Sequence, residues 1–75
     1  MKITLHENKS QWKHAVPLKA LVGYGVVVIT EEDVIEGELL ALTDDDFAIV
    51  EQITNDDEVD TYAISLFDIQ EIKYC

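Results

Sequence analysis

Apolar positions along this chain fall in short runs separated by acidic clusters. Val34–Leu42 is rich in valine, isoleucine and leucine and predicts a strand. Gly37 inside it predicts a bulge, a sharp bend or a close backbone approach. Thr43–Asp46 predicts a tight turn, because Asp and Thr side chains hydrogen-bond their own backbone there, and Phe47 to about Ile53 predicts the returning strand. Tyr24–Thr30 predicts a strand covered on both faces, since Val26–Ile29 is β-branched throughout. Glu31–Asp33 reads as a turn. Thr54–Glu58 reads as a second acidic hairpin tip, Val59–Ile64 as a strand and Ser65–Asp68 as a very short connection. Ile69–Tyr74 is the last strand, with Ile69 and Ile72 as inward anchors. Upstream, Leu18, Leu21 and Val22 share one face between Pro17, which suits a first helical turn, and Gly23, a good terminator; this predicts a short helix over Pro17–Val22. Asn8–Val16 allows a turn or two of helix that Pro17 limits. Lys2–His6 alternates and reads equally as a short edge strand or a mobile tail.

A short helix and five strands joined by tight turns, in 75 residues, favour a small, strongly bent five-stranded antiparallel barrel over a sandwich. The length is that of one domain, with an N-terminal extension over 1–16 and the core over 17–74. A chain this short buries only about 60–65% of the surface its unfolded form exposes, so its core alone is marginal. The single cysteine, Cys75, cannot form an internal disulfide or a thiolate metal site, which leaves association between copies as the expected stabiliser. No N-terminal apolar segment resembles a signal peptide, and no run approaches the ~20 apolar residues of a membrane helix. A soluble, cytoplasmic protein with a reduced thiol is the expectation.

Charge changes this picture most. Lys2, Lys9, Lys13 and Lys19 against Glu7 give residues 1–20 a net +3, while Lys73 against fifteen acids gives the remainder −14, for −11 overall. There is no arginine. A field of that sign repels phosphate backbones at long range, and the bidentate fork that grips phosphate or guanine is missing. Any nucleic-acid contact is therefore expected to be local, at the lysine-bearing N-terminal segment.

At this point the order of motifs resembles the Sm-like family, which includes Sm and LSm proteins and bacterial Hfq. Pro17-Leu-Lys-Ala-Leu21, Val26-x-Val28, Gly37-x-Leu39 and the acidic turn with its apolar strand are similar to the family's first motif. Tyr62–Ile72, with Ile64, Ile69 and Ile72 at its apolar positions, is similar to the second, and Ala63-Ile64-Ser65 is especially like Hfq. The resemblance implies a bent five-stranded barrel and a ring of about five to seven copies, in which one copy's fourth strand pairs with the next copy's fifth. Val59–Ile64 and Ile69–Tyr74 would be those edges, with Tyr62, Ile64, Ile69 and Ile72 at the subunit interface. It also implies single-stranded RNA binding around the pore. The family's Asp after the glycine is Thr43 here, and the base-contacting positions that follow fall on Asp45 and Phe47. The Arg-Gly pair of the Sm motif falls on Ser65 and Leu66, and the Lys-His pair of Hfq on Thr61 and Tyr62. The RNA contacts so implied are Asp45, Phe47, Tyr62 and Ser65, with Tyr62 and Phe67 as ring faces for stacking. Lys13 and Lys19, in a cluster with Lys9 and His14, would form a weak phosphate track on the helix face; a solvated helix face is the simpler reading.

No catalytic residue is expected. Ser10, Ser65, His6 and His14 form no nucleophile elbow or triad spacing, and Gly23 and Gly25 do not make a phosphate-cradling loop. Asp44-Asp45-Asp46 lacks the frame of a calcium loop, and solvated turns account for it and for Asn55–Glu58, so neither metal nor cofactor is expected. Trp12 is expected to seal the helix onto the barrel end. The alternative to an RNA-binding ring is an acidic protein-interaction or assembly ring that has lost RNA binding.

Overall fold

The computed structural model describes residues 1–54 and 56–74. Asn55, in the expected second hairpin tip, and Cys75, the tail thiol, lie outside them. Six strands form one antiparallel sheet among the described residues: β1 (Lys2–Thr4), β2 (Gly25–Thr30), β3 (Val34–Leu42), β4 (Phe47–Ile53), β5 (Val59–Ser65) and β6 (Ile69–Tyr74). Their spatial order is β1-β6-β2-β3-β4-β5. Ahead of β2 lie a 3-10 segment, Lys9–His14, and one α-helical turn, α1 (Val16–Lys19); a second 3-10 turn, Leu66–Asp68, joins β5 to β6.

The acidic turns work as local chemistry dictates. In the β3–β4 turn the Thr43 amide donates to the Phe47 carbonyl (2.8 Å), the Asp46 amide to the Thr43 carbonyl (3.2 Å), and the Phe47 amide to Thr43 Oγ1 (3.1 Å). In the β4–β5 turn the Thr54 amide donates to the Glu58 carbonyl (2.8 Å) and the Asp57 amide to the Thr54 carbonyl (3.1 Å). Asp46 and Asp57 both sit in the left-handed region, at φ 67° and 61°, which Asp tolerates better than other side chains. Two hairpins are thus closed by the same Thr-x-x-Asp device.

Gly37 and a bulge shape β3, but at different places. The bulge lies between Leu39 and Ala41, where the pairing to β4 shifts register and Leu40 is left without a partner. Leu39 and Leu42 are three residues apart, so an unbroken strand would point them to opposite faces. The extra residue turns both toward the core, Leu39 fully buried opposite Val50 and Leu42 packed against the cluster opposite Ala48. Gly37 is the close approach. A Cβ there would collide with the Glu51 carbonyl oxygen and meet the Val50 side chain at 3.0 Å.

The helical part is shorter than Pro17–Val22: the α-helical turn begins one residue earlier and stops at Lys19, and the chain leaves through Gly23 at φ 94°. Leu18 and Leu21 are buried as the shared face requires, whereas Val22 is exposed. Trp12 packs against the core cluster and meets the His6 ring edge-on, centroids 6.0 Å apart.

The alternating Lys2–His6 segment is resolved as a strand. Ile3 pairs opposite Ile72, both buried, and Leu5 is buried behind it. The ladder is extended at both ends. The Met1 ammonium and Tyr74 amide exchange 2.8 Å bonds with each other's residue, and the Leu5 amide donates to the Gln70 carbonyl. Among the described residues 13 buried apolar side chains form one cluster, drawn from all six strands, α1 and the second 3-10 turn, with Leu5 and Leu21 from the connecting segments.

The two glycines predict opposite responses to alanine. Gly37→Ala should destabilise by about 1–3 kcal/mol or more, because a backbone carbonyl cannot swing aside as a side chain would. At roughly 4–8 °C per kcal/mol for a domain of this size, the melting temperature should fall by several degrees at least. Gly25→Ala, with open space around the added carbon, should be neutral or slightly stabilising. Equal melting temperatures for the two variants would contradict the close approach.

Candidate functional site

The resemblance-derived residues divide into two groups. Phe47, Tyr62 and Ser65 are brought together along one groove; Asp45, Lys13 and Lys19 lie away from it. The groove has a volume of about 550 Å³. It is lined by the end of β5, from Tyr62 to Ser65, and by the β2–β3 turn, Glu31–Asp33. Ile35, Phe67, Asp68 and Gln70 complete it, with Lys9 at its border. Three exposed rings edge this space: Phe47 (36% exposed), Tyr62 (37%) and Phe67 (58%).

β5 is an end strand, and the hydrogen-bond pattern tells which of its backbone groups are open. The Thr54–Glu58 bond at one end and the donation from the Leu66 amide to the Asp46 carbonyl (2.8 Å) at the other fix the alternation of the β4–β5 ladder. Both place Asp60, Tyr62 and Ile64 at bonded pairs, so Val59, Thr61 and Ala63 turn their N–H and C=O groups away from β4. Among the described residues no strand pairs with that side. The other end strand differs. β1 has three residues, one of them an exposed lysine, whereas β5 has seven with neither lysine nor proline. A short, lysine-bearing edge resists further pairing; a long edge without such devices accepts it.

The lysines expected to meet phosphate are engaged inside the molecule. Lys13 Nζ lies 2.8 Å from Asp46 Oδ1 and donates to the Asp44 carbonyl at 2.8 Å, with both side chains of the ion pair largely buried. The Lys13 ammonium thus has its partners within the molecule, pairing with one of the three carboxylates of the β3–β4 turn. Lys9 Nζ donates to the carbonyls of Phe67 (2.9 Å) and Ile69 (3.0 Å), clipping the N-terminal 3-10 segment to the second 3-10 turn. Lys9 reads in sequence as part of a solvated cluster; its acceptors are backbone carbonyls 58 and 60 residues on, which no residue type or spacing announces. Lys19 is exposed at the end of α1, and Asp45 is exposed at the turn tip. Ser65 caps the second 3-10 turn, its Oγ accepting from the Phe67 amide at 3.3 Å.

The interface residues also fall out differently. Ile64, Ile69 and Ile72 are buried within the chain's own core, leaving only Tyr62 of that set with an exposed side chain. The outer edge of β6 is already paired with β1. Of the two edges the resemblance assigned to neighbouring copies, Val59–Ile64 and Ile69–Tyr74, only the first is open among the described residues. Comparison with family models, with curated proteins and with solved structures finds no match.

If Lys13 serves the fold, removing its charge must cost stability. Lys13→Met should destabilise by about 1–3 kcal/mol, the cost of leaving a largely buried carboxylate without its partner. Lys19→Met should be within about 0.5 kcal/mol of the parent, as for an exposed surface position. Adding Asp46→Asn to Lys13→Met should recover part of the loss. Urea midpoints of the four proteins measure this, and a Lys13→Met midpoint equal to the parent's would show the ion pair to be idle.

Proposed function

We propose that this chain is a non-enzymatic, Sm-like protein-interaction module that binds other polypeptides through the open edge of its sheet. The observation that carries this reading is the β5 edge, which presents free backbone groups and an exposed Tyr62 beside a groove. The Sm-like assignment rests on the motif order. It is supported by the strand order: apart from β1, the fourth and fifth strands of the set stand at the two ends, as that resemblance requires. A single core cluster drawn from every strand suits a strongly bent sheet of that kind.

The second reading is the RNA-binding ring of about five to seven copies, with uridine- or adenine-rich single strands at its pore. Phe47, Tyr62 and Phe67 favour it, because exposed rings in one groove are a stacking platform. Three observations weigh against it. Lys9 and Lys13 are engaged, the groove is also lined by Glu31-Glu32-Asp33, and ring closure through β6 would have to displace β1.

Selection of random peptides displayed on phage against the immobilised chain, beside titration with short U-rich and A-rich RNAs at low salt, separates the two. The interaction module predicts enriched peptides that bind saturably as free synthetic peptides, and no saturable RNA binding. Saturable RNA binding with no enriched peptide would overturn it.

A further inference from the structure

We propose that the β5 edge and its groove accept an extended basic segment of a partner protein, which adds to the sheet as a seventh strand. This rests on the interaction-module reading and names the partner's chemistry. Three features of the molecule converge on it. The outward N–H and C=O groups of Val59, Thr61 and Ala63 are a ready template for an added strand of about five to seven residues. The groove borders the last part of β5, Tyr62–Ser65, so one end of an added strand would lie beside Ile35 and Tyr62. The groove is acidic: Glu31, Glu32, Asp33 and Asp68 line it together with the end of β5. The one ammonium at its border, that of Lys9, is held by two backbone carbonyls. An incoming strand therefore meets four carboxylates against the one ammonium of Lys9, an acidic excess that favours lysine or arginine along it and disfavours acidic chains.

A second copy of the chain is the poorer occupant. Each copy carries −11, and β5 brings Asp60 but no cation to the edge. Like charges brought together at an interface oppose association.

The test uses the full chain and a fluorescent heptapeptide alternating lysine and valine, blocked at both termini. Fluorescence anisotropy should show saturable one-to-one binding that weakens as salt rises from about 50 to 300 mM, because the carboxylate contacts are exposed. The same peptide N-methylated at alternate residues should lose binding by about tenfold or more, since it cannot pair with a strand edge. Thr61→Pro should weaken the unmodified peptide by a similar factor; its amide points away from β4, so proline removes no bond within the sheet. A Glu31→Gln, Glu32→Gln, Asp33→Asn triple variant should flatten the salt dependence. A glutamate–valine heptapeptide should not bind.

Failure of the lysine–valine peptide to bind, while phage-selected peptides do, would overturn this inference and leave the module reading standing. Binding indifferent to N-methylation would exclude strand addition. A dimer mass by light scattering without peptide, dissociated by Thr61→Pro, would assign the edge to a second copy instead.

Discussion

Backbone hydrogen bonding at the ends of the sheet is the constraint on which the rest of this structure turns. An open sheet has two end strands, each with a row of N–H and C=O groups that must find water or another chain. This molecule treats its ends unequally. On one side the outer edge of β6 is covered by β1, a three-residue strand held by bonds at both its ends and anchored by Ile3 and Leu5. On the other side β5 is left long, exposed from Val59 to Ala63, and free of the lysine or proline that commonly protects an edge. The arrangement gives the sheet a direction: one end is finished, the other is available.

Charge follows the same division. The chain carries sixteen acids against five lysines, and two of those lysines have specific partners within the fold. Lys9 and Lys13 project from one 3-10 segment to two different loops, the second 3-10 turn and the β3–β4 turn, and so tie the N-terminal extension to the sheet. Two of the four lysines of residues 1–20 are thereby turned onto the protein's own loops, while Lys2 and Lys19 stay exposed, and the groove beside β5 keeps an acidic excess. Repulsion of phosphate and attraction of cationic polypeptide are two consequences of one distribution.

Local pattern carried much of the fold. The two acidic turns were legible because Thr and Asp favour turns and Asp tolerates the left-handed backbone found at Asp46 and Asp57, and β2 to β6 were legible from apolar runs bounded by such turns. Gly37 was legible as an irregularity, though not as which kind. Its reason is tertiary, the Glu51 carbonyl one strand away, while the bulge at Leu40 has no glycine to announce it. β1 was undecidable for a similar reason. Five alternating residues pair only if a complementary edge exists, and Ile72 opposite Ile3 supplies it. The site was the least legible. The motif resemblance picked out Phe47, Tyr62 and Ser65, which do share a groove, but much of its acidic lining comes from Glu31–Asp33, read in sequence as nothing more than a turn. Lys13 was legible as a positive charge, but its partner, Asp46, was not.

The most direct test of an unequal sheet is residue-resolved amide hydrogen exchange of the dilute, isotopically labelled chain. The account predicts an alternating pattern in β5, with Tyr62 and Ile64 amides protected by β4 and Thr61 and Ala63 amides exchanging as fast as exposed turns. Protection of Thr61 and Ala63 equal to that of Tyr62 and Ile64, persisting on dilution, would mean that the edge is already paired within the chain and would contradict the central claim.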